Sequence, residues 1–284
     1  MTEYFTTKKL NDHLILIQTV TGEDLYFIQG EKHAVLIDTS VGMSPLKPLI
    51  DGLARTDYDI ILSHGHIDHA MGAIEFLPEH KVYMNLADRL VYDGMADLKQ
   101  RTEYTKMSIP ETIDYNDLPI APVNAVHADD EFHNLVDGEI FDLGGIHIQA
   151  FSFPGHTPGM MALLLKEDRI LITGDGANRS TFVWDNYAPS LHSYLSSLKE
   201  LQRRTDGLYD HIFITHGNYE VSPMLLQNLI NLCADIFAGK VDNIPFEFMG
   251  NKALIAKKID FSIPGYPKRI DGGDGNIFYN PNNL

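Results

Sequence analysis

Leu62-Ser63-His64-Gly65-His66-Ile67-Asp68-His69-Ala70 puts four metal-competent side chains within six residues. The run leaves the apolar Ile60-Ile61-Leu62, which reads as a strand, and leads into Ala70 to Leu77, which reads as a helix. In an extended segment His64 and His66 are two apart and project to the same side, whereas on a helix they would diverge. Asp68 and His69 fall where the chain turns into the helix, so the cluster occupies a strand-to-helix loop. Gly65 and Gly72 leave room for close backbone approach. The competing reading is a loop of solvated histidines, but four ligand-type residues in such a run favour a metal site.

Three later segments repeat the design. Phe151-Ser152-Phe153-Pro154-Gly155-His156 sets a histidine after a strand, Ile170-Leu171-Ile172-Thr173-Gly174-Asp175 sets a carboxylate there, and Ile212-Phe213-Ile214-Thr215-His216 a second histidine. Each alone reads as a packed or capping residue. Together they place ligand-type side chains at the ends of four strands, and open α/β architectures build their sites on such a rim.

The remaining pattern is α/β. His13 to Val20, Leu25 to Ile28 and Ala34 to Ile37 are β-branched and aromatic runs separated by turn signals, a meander of strands. Helical spacing follows in Pro45 to Leu53 and in Leu86 to about Lys99. From about Arg101 to Asp137 the periodicity fades and Pro110, Pro119 and Pro122 interrupt it, which predicts an irregular insertion of the kind that is usually functional. Two amphipathic helices, Ser190 to Arg204 and one opened by Ser222-Pro223 and ended by Gly239, belong to the second half. C-terminal strands are expected over about 241–284. With no repeat, low-complexity tract or linker, a single domain over 1–284 is expected.

Composition narrows the function. The chain carries 22 Lys+Arg against 39 Asp+Glu, a formal charge of −17, which would repel a polyanion at long range and excludes nucleic-acid binding through bulk charge. Its one cysteine, Cys233, excludes an intramolecular disulfide framework and any cysteine-built metal cage, and points to a reducing compartment. The first ten residues have no cationic start followed by an apolar run, and Leu14 to Ile17 is too short to insert in a membrane, so a cytoplasmic protein without membrane association is expected. Thirteen histidines are unexplained by composition, and their placement carries the information.

The full set, His-x-His-x-Asp-His followed by isolated His, Asp and His at strand ends, resembles the metallo-β-lactamase-fold hydrolases, from the early strands through His216. The resemblance extends to Asp38, where the family has an acidic residue supporting the metal loop. It implies an α/β fold, the αββα sandwich, with two metals. Carried over residue by residue, His64, His66 and His156 would hold one metal, Asp68, His69 and His216 the second, and Asp175 would bridge them. Five imidazoles and two carboxylates suit two Zn²⁺, and Mn²⁺ or Fe²⁺ also fits. The di-iron branch of the family has a glutamate where this chain has His66, which favours hydrolysis. The true β-lactamases lack a bridging carboxylate at the Asp175 position, so Asp175 points to the glyoxalase II, lactonase and phosphodiesterase branches. The acyl-homoserine lactonases have a tyrosine three residues after that aspartate, and here the position is Asn178.

Two divalent ions lower the pKa of a shared water from 15.7 to roughly 7. The expected activity is therefore attack by a metal-bridging hydroxide on a small carbonyl substrate: a thioester, lactone or ester. Asp68 would accept or relay the proton. A phosphodiesterase of the same fold and a di-iron oxidoreductase are the alternatives, and a metal-binding protein without catalysis is disfavoured by the room seven ligands leave for substrate. Tyr104 and Met107 in the insertion, with Phe182 and Trp184 after the bridging aspartate, are candidate substrate contacts, and Tyr187 is a candidate donor to an oxyanion. Ordinary core or surface aromatics are the competing reading. His127 and His133, flanking Asp129-Asp130-Glu131, read as a solvated acidic loop. Lys252, Lys257, Lys258, Lys268 and Arg269 are the cations available to hold a thiol carrier. Oligomeric state has no signal in the sequence.

Overall fold

The computed structural model describes residues 3–77, 79–125, 132–248, 250–260, 262 and 268–284. His127 and the Asp129-Asp130-Glu131 run, like the tail aromatics Phe261 and Tyr266, lie outside the described residues. The chain divides into two compact units, Met1–Val136 with Ile140–Ile148, and Asp137–Glu139 with Gln149–Leu284.

The first unit opens with β1 (Phe5–Lys9), β2 (Leu14–Thr19), β3 (Asp24–Gln29) and β4 (Ala34–Ile37), then alternates α1 (Lys47–Leu53), β5 (Tyr58–Ile61), α2 (Ile67–Ala70) and β6 (Val82–Met84). It continues through α3 (Arg89–Met95), α4 (Leu98–Ser108), β7 (His133–Asn134) and β8 (Ile140–Asp142). Seven strands form one sheet in the order β1-β2-β3-β4-β5-β6-β7, antiparallel through the meander and parallel from β4 onward. Ile17, Phe27, Leu36, Ile60 and Leu62 share a core with Met71, Phe76 and Tyr92. The parallel register sets Ile37 beside Ile61, so the residues after β4 and after β5 emerge side by side at one end of the sheet.

Two helices differ from the sequence reading, both for local reasons. The helix expected over Ala70 to Leu77 is instead α2, starting at Ile67 with an extended His66 as its N-cap, followed by a 3₁₀ turn at Ala73–Glu75. The break falls at Gly72, where a Cβ would lie 2.2 Å from the Thr39 carbonyl oxygen, so the backbone there packs directly on the loop after β4. The helix expected from Leu86 to about Lys99 splits at Asp97, which caps α4 by accepting from Gln100 N at 2.9 Å. α4 then runs to Ser108, well into the segment that fading periodicity leaves irregular.

The second unit is entered through β9 (His147–Ser152) and contains β10 (Met161–Leu165), β11 (Ile170–Ile172), β12 (Thr181–Val183), α5 (Leu191–Thr205), β13 (His211–Phe213), β14 (Glu220–Val221) and α6 (Leu225–Phe237). Its tail adds β15 (Ile244–Phe248), β16 (Asn251–Ile255), β17 (Ile259–Asp260), β18 (Lys268–Arg269) and β19 (Ile277–Tyr279). The order β14-β13-β11-β10-β9 makes one sheet, with β11 and β13 parallel and Ile172 beside Phe213. β12, β19, β16 and β15 make a smaller one. The amphipathic helices form as the sequence predicts: Ser190 caps α5, and Leu191, Tyr194, Leu198 and Leu201 join Leu226, Leu229, Ile230 and Cys233 of α6 in one core. Burial pushes the Cys233 thiol up to about 12, which suits packing rather than chemistry. Among the described residues no helix is long and apolar enough to cross a membrane.

Gly72→Ala should destabilise the chain by about 1–3 kcal/mol, the usual cost of forcing an added methyl into a filled site. Urea unfolding would show it as a lower midpoint with an unchanged slope.

Candidate metal centre

In the first unit the ligand-type residues gather around Asp38. This residue follows β4 with φ of 64°, in the left-handed region that aspartate visits more readily than most residues. Its buried carboxylate accepts from Ser63 N at 2.7 Å, from the Ser63 hydroxyl at 2.8 Å and from His69 Nδ1 at 2.9 Å. Thr39 adds a backbone N–H and its hydroxyl to the His69 carbonyl, at 2.7 and 2.9 Å. Gly65 N donates to Asp88 Oδ2 at 2.9 Å, and a Cβ at Gly65 would meet the Asp88 backbone, which explains the glycine between the two histidines.

A carboxylate only accepts, so His69 carries its proton on Nδ1. Ser63 spends its one proton on Asp38, so at 3.0 Å it accepts from His64 Nδ1. As neutral imidazoles both keep a lone pair on Nε2, the form in which histidine binds metal. The His64 ring lies 4.8 Å from that of His66 and 4.2 Å from that of His69, and His69 Nε2 is 3.7 Å from Asp68 Oδ2.

The second unit brings His156, Asp175 and His216 together. Asp175 Oδ1 accepts from the Thr215 hydroxyl at 2.7 Å and from Asn178 Nδ2 at 3.2 Å. Its other oxygen lies 3.3 Å from His216 Nε2 and 3.8 Å from His156 Nε2. His156 Nδ1 donates to the Phe182 carbonyl at 2.6 Å, which again leaves Nε2 as the ligand atom. Thr173 and Tyr194 pin the loop by donating to the carbonyls of Ala177 and Gly176.

The donors fit a divalent ion. Zinc bonds of about 2.0–2.2 Å at tetrahedral angles separate neighbouring ligand atoms by roughly 3.3–3.6 Å; the Asp175–His216 separation of 3.3 Å lies in that range, and those of Asp68–His69 and Asp175–His156, 3.7 and 3.8 Å, lie just beyond it.

The substrate candidates fare differently. Tyr104, on α4, donates its hydroxyl to Asp68 Oδ2 at 2.6 Å. Burial, then the charges of Asp68 and Glu23, hold this phenol well above its ordinary pKa, so it stays protonated and donating. Met107, on the next turn, is exposed. Phe182 and Trp184 stack at 5.1 Å, and Trp184 stacks in turn on Phe246 and Phe248 at 5.5 and 6.3 Å. Tyr187 is exposed on a turn whose backbone N–H is held by Asp185. Of the candidate carrier-binding cations, Lys257 donates to the Lys240 carbonyl and Arg269 pairs with Asp271. Sequence reasoning missed Ser63 and Thr215. The signal available was position, since each directly precedes a ligand-type histidine.

The family model described as the metallo-beta-lactamase superfamily matches residues 19–216. Hydroxyacylglutathione hydrolase GloC of Haemophilus influenzae is 26% identical over 199 residues, 66% of this chain and 82% of that protein. An atrochrysone carboxyl ACP thioesterase, nsrC of Aspergillus novofumigatus, is 25% identical over 188 residues, 65% of this chain but only 46% of that longer protein. Among solved structures, a metallo-beta-lactamase from Pontibacter korlensis superposes with a TM-score of 0.59 at 14% identity, over 81% of this chain and 99% of that one. At this identity the superposition bears on fold alone: the chain has the α/β metallo-β-lactamase fold.

Asp38→Asn keeps the left-handed backbone, which asparagine also tolerates, but exchanges one acceptor oxygen for a donor. Zinc affinity, read by competition with a chromophoric chelator, should fall about 10–100-fold, as for other partners that orient a metal-binding histidine.

Proposed function

The chain belongs to the metallo-beta-lactamase superfamily, and on that premise we propose that it is a dinuclear, zinc-dependent hydrolase of a small carbonyl substrate, with thioesters ahead of esters and lactones. In this reading His64, His66 and His156 would hold one ion and Asp68, His69 and His216 the other, with Asp175 a ligand to both. The observation that carries it is the hydrogen-bond pattern: His64, His69 and His156 each have Nδ1 beside an oxygen that can accept from it, at 3.0, 2.9 and 2.6 Å, which is how metal-binding imidazoles are held. The thioester preference draws on the two relatives above, whose names denote a hydroxyacylglutathione hydrolase and an acyl-carrier thioesterase.

When bound, divalent ions supply a nucleophilic water near neutral pH and polarise the substrate carbonyl. The chain's own groups do the rest. Asp175, with Oδ1 tied to Thr215 and Asn178, presents Oδ2 in a fixed direction. Asp68 takes up the proton released during attack, and Tyr187 is the donor to the developing oxyanion. Phe182 and Trp184 offer aromatic surface to the acyl part. A cytoplasmic location and the absence of a nucleic-acid partner belong to the same reading, supported by the single cysteine and the charge of −17.

Metal analysis of the purified protein should return two equivalents of zinc. A panel of thioesters, esters, lactones and phosphodiesters should show turnover of the carbonyl substrates, thioesters fastest. His66→Ala and Asp175→Ala should each lose metal and at least about 100-fold in kcat/KM. Stoichiometric iron with oxygen consumption, or turnover confined to phosphodiesters, would replace the proposal, and full activity of either variant with metal absent would end it.

A further inference from the structure

Tyr104 stands on α4 with its hydroxyl 2.6 Å from Asp68 Oδ2, and that oxygen is also the one facing His69 Nε2, at 3.7 Å. A phenol donating to a carboxylate at this distance makes a charge-assisted bond, about twice as strong as a neutral one. The helix that carries it is anchored. Arg101, three residues earlier and fully buried, donates Nε to the Val41 carbonyl at 2.9 Å, Nη1 to the Val123 carbonyl at 2.8 Å and Nη2 to the Gly42 carbonyl. Val41 and Gly42 belong to the same loop that begins with Asp38 and Thr39. One loop therefore fixes both His69, through Asp38, and the Tyr104 helix, through Arg101. Thr105, also buried, bonds back to the Arg101 carbonyl at 2.9 Å.

A carboxylate on a short side chain turns easily about its last torsion, which has broad wells. We infer that Tyr104 is a positioning residue: its hydroxyl fixes the rotation of Asp68, so that Oδ2 is aimed at the ion Asp68 and His69 would share. The sequence reading gave Tyr104 to the substrate wall; a hydroxyl committed to Asp68 gives it to the metal. The inference rests on the dinuclear reading above and makes the insertion helix part of the machinery that sets occupancy of the second ion.

Tyr104→Phe removes only the hydroxyl and keeps the ring, and circular dichroism checks that the variant is folded. Titration of metal-stripped protein with Co²⁺, followed through its visible absorption, should show the first equivalent binding as in wild type and the second weakened about 10–100-fold. With a carbonyl substrate that the wild type turns over, kcat should fall at limiting zinc and recover as zinc is raised, with KM within about threefold of wild type. A variant that binds both equivalents as wild type does, or one whose KM rises and is not rescued by zinc, would overturn the inference and return Tyr104 to the substrate wall. If wild type takes two equivalents yet hydrolyses no carbonyl substrate, the functional reading fails and the cobalt titration alone decides the role of Tyr104. If wild type takes fewer than two, both fail.

Discussion

A charge with no access to water has to be satisfied by hydrogen bonds, and the Asp38 carboxylate satisfies itself on the metal-motif loop. Three donors converge on it, two from Ser63 and one from His69, and in meeting its need they fix where the protons of His64 and His69 reside. This requires β4 and β5 to be parallel neighbours in the observed register, since only then does the residue after Ile37 emerge beside Leu62 and Ser63. The left-handed backbone at Asp38 and the direct packing of Gly72 on Thr39 follow from bringing those two loops into contact.

The second unit solves a related problem by similar means. There too a parallel pair, β11 and β13, ends in a carboxylate on one strand and a histidine on the other. There too the residue just before the histidine, Thr215, gives its hydroxyl to the carboxylate, as Ser63 does to Asp38. The two carboxylates do different work. Asp38 has both oxygens engaged by the loop and acts through its neighbours, whereas Asp175 has one oxygen held and the other facing two histidines. In the proposed centre that asymmetry separates a supporting acid from a ligand.

Much of this was legible in the sequence. The histidine run, the three later strand-end residues and the two amphipathic helices of the second half announce themselves through spacing or apolar period, and Asp38 through the family resemblance that the histidines carry. α4 does not, because its buried residues are Arg101 and Thr105, and the helix is tied down by hydrogen bonds rather than by an apolar stripe. A search for hydrophobic periodicity passes over such a helix, and with it the contact between Tyr104 and Asp68. Ser63 and Thr215 were invisible for another reason: a hydroxyl residue beside a histidine is common, and only the parallel strand register gives it a carboxylate to serve. The early end of α2 likewise depends on a backbone contact from a loop some thirty residues earlier, which no local pattern records.

Anomalous diffraction at the zinc edge from crystals of the zinc-loaded protein tests the central claim most directly. The account predicts two peaks, one bounded by His64, His66 and His156 and the other by Asp68, His69 and His216, with Asp175 Oδ2 touching both. A single peak, or peaks remote from these residues, would contradict it.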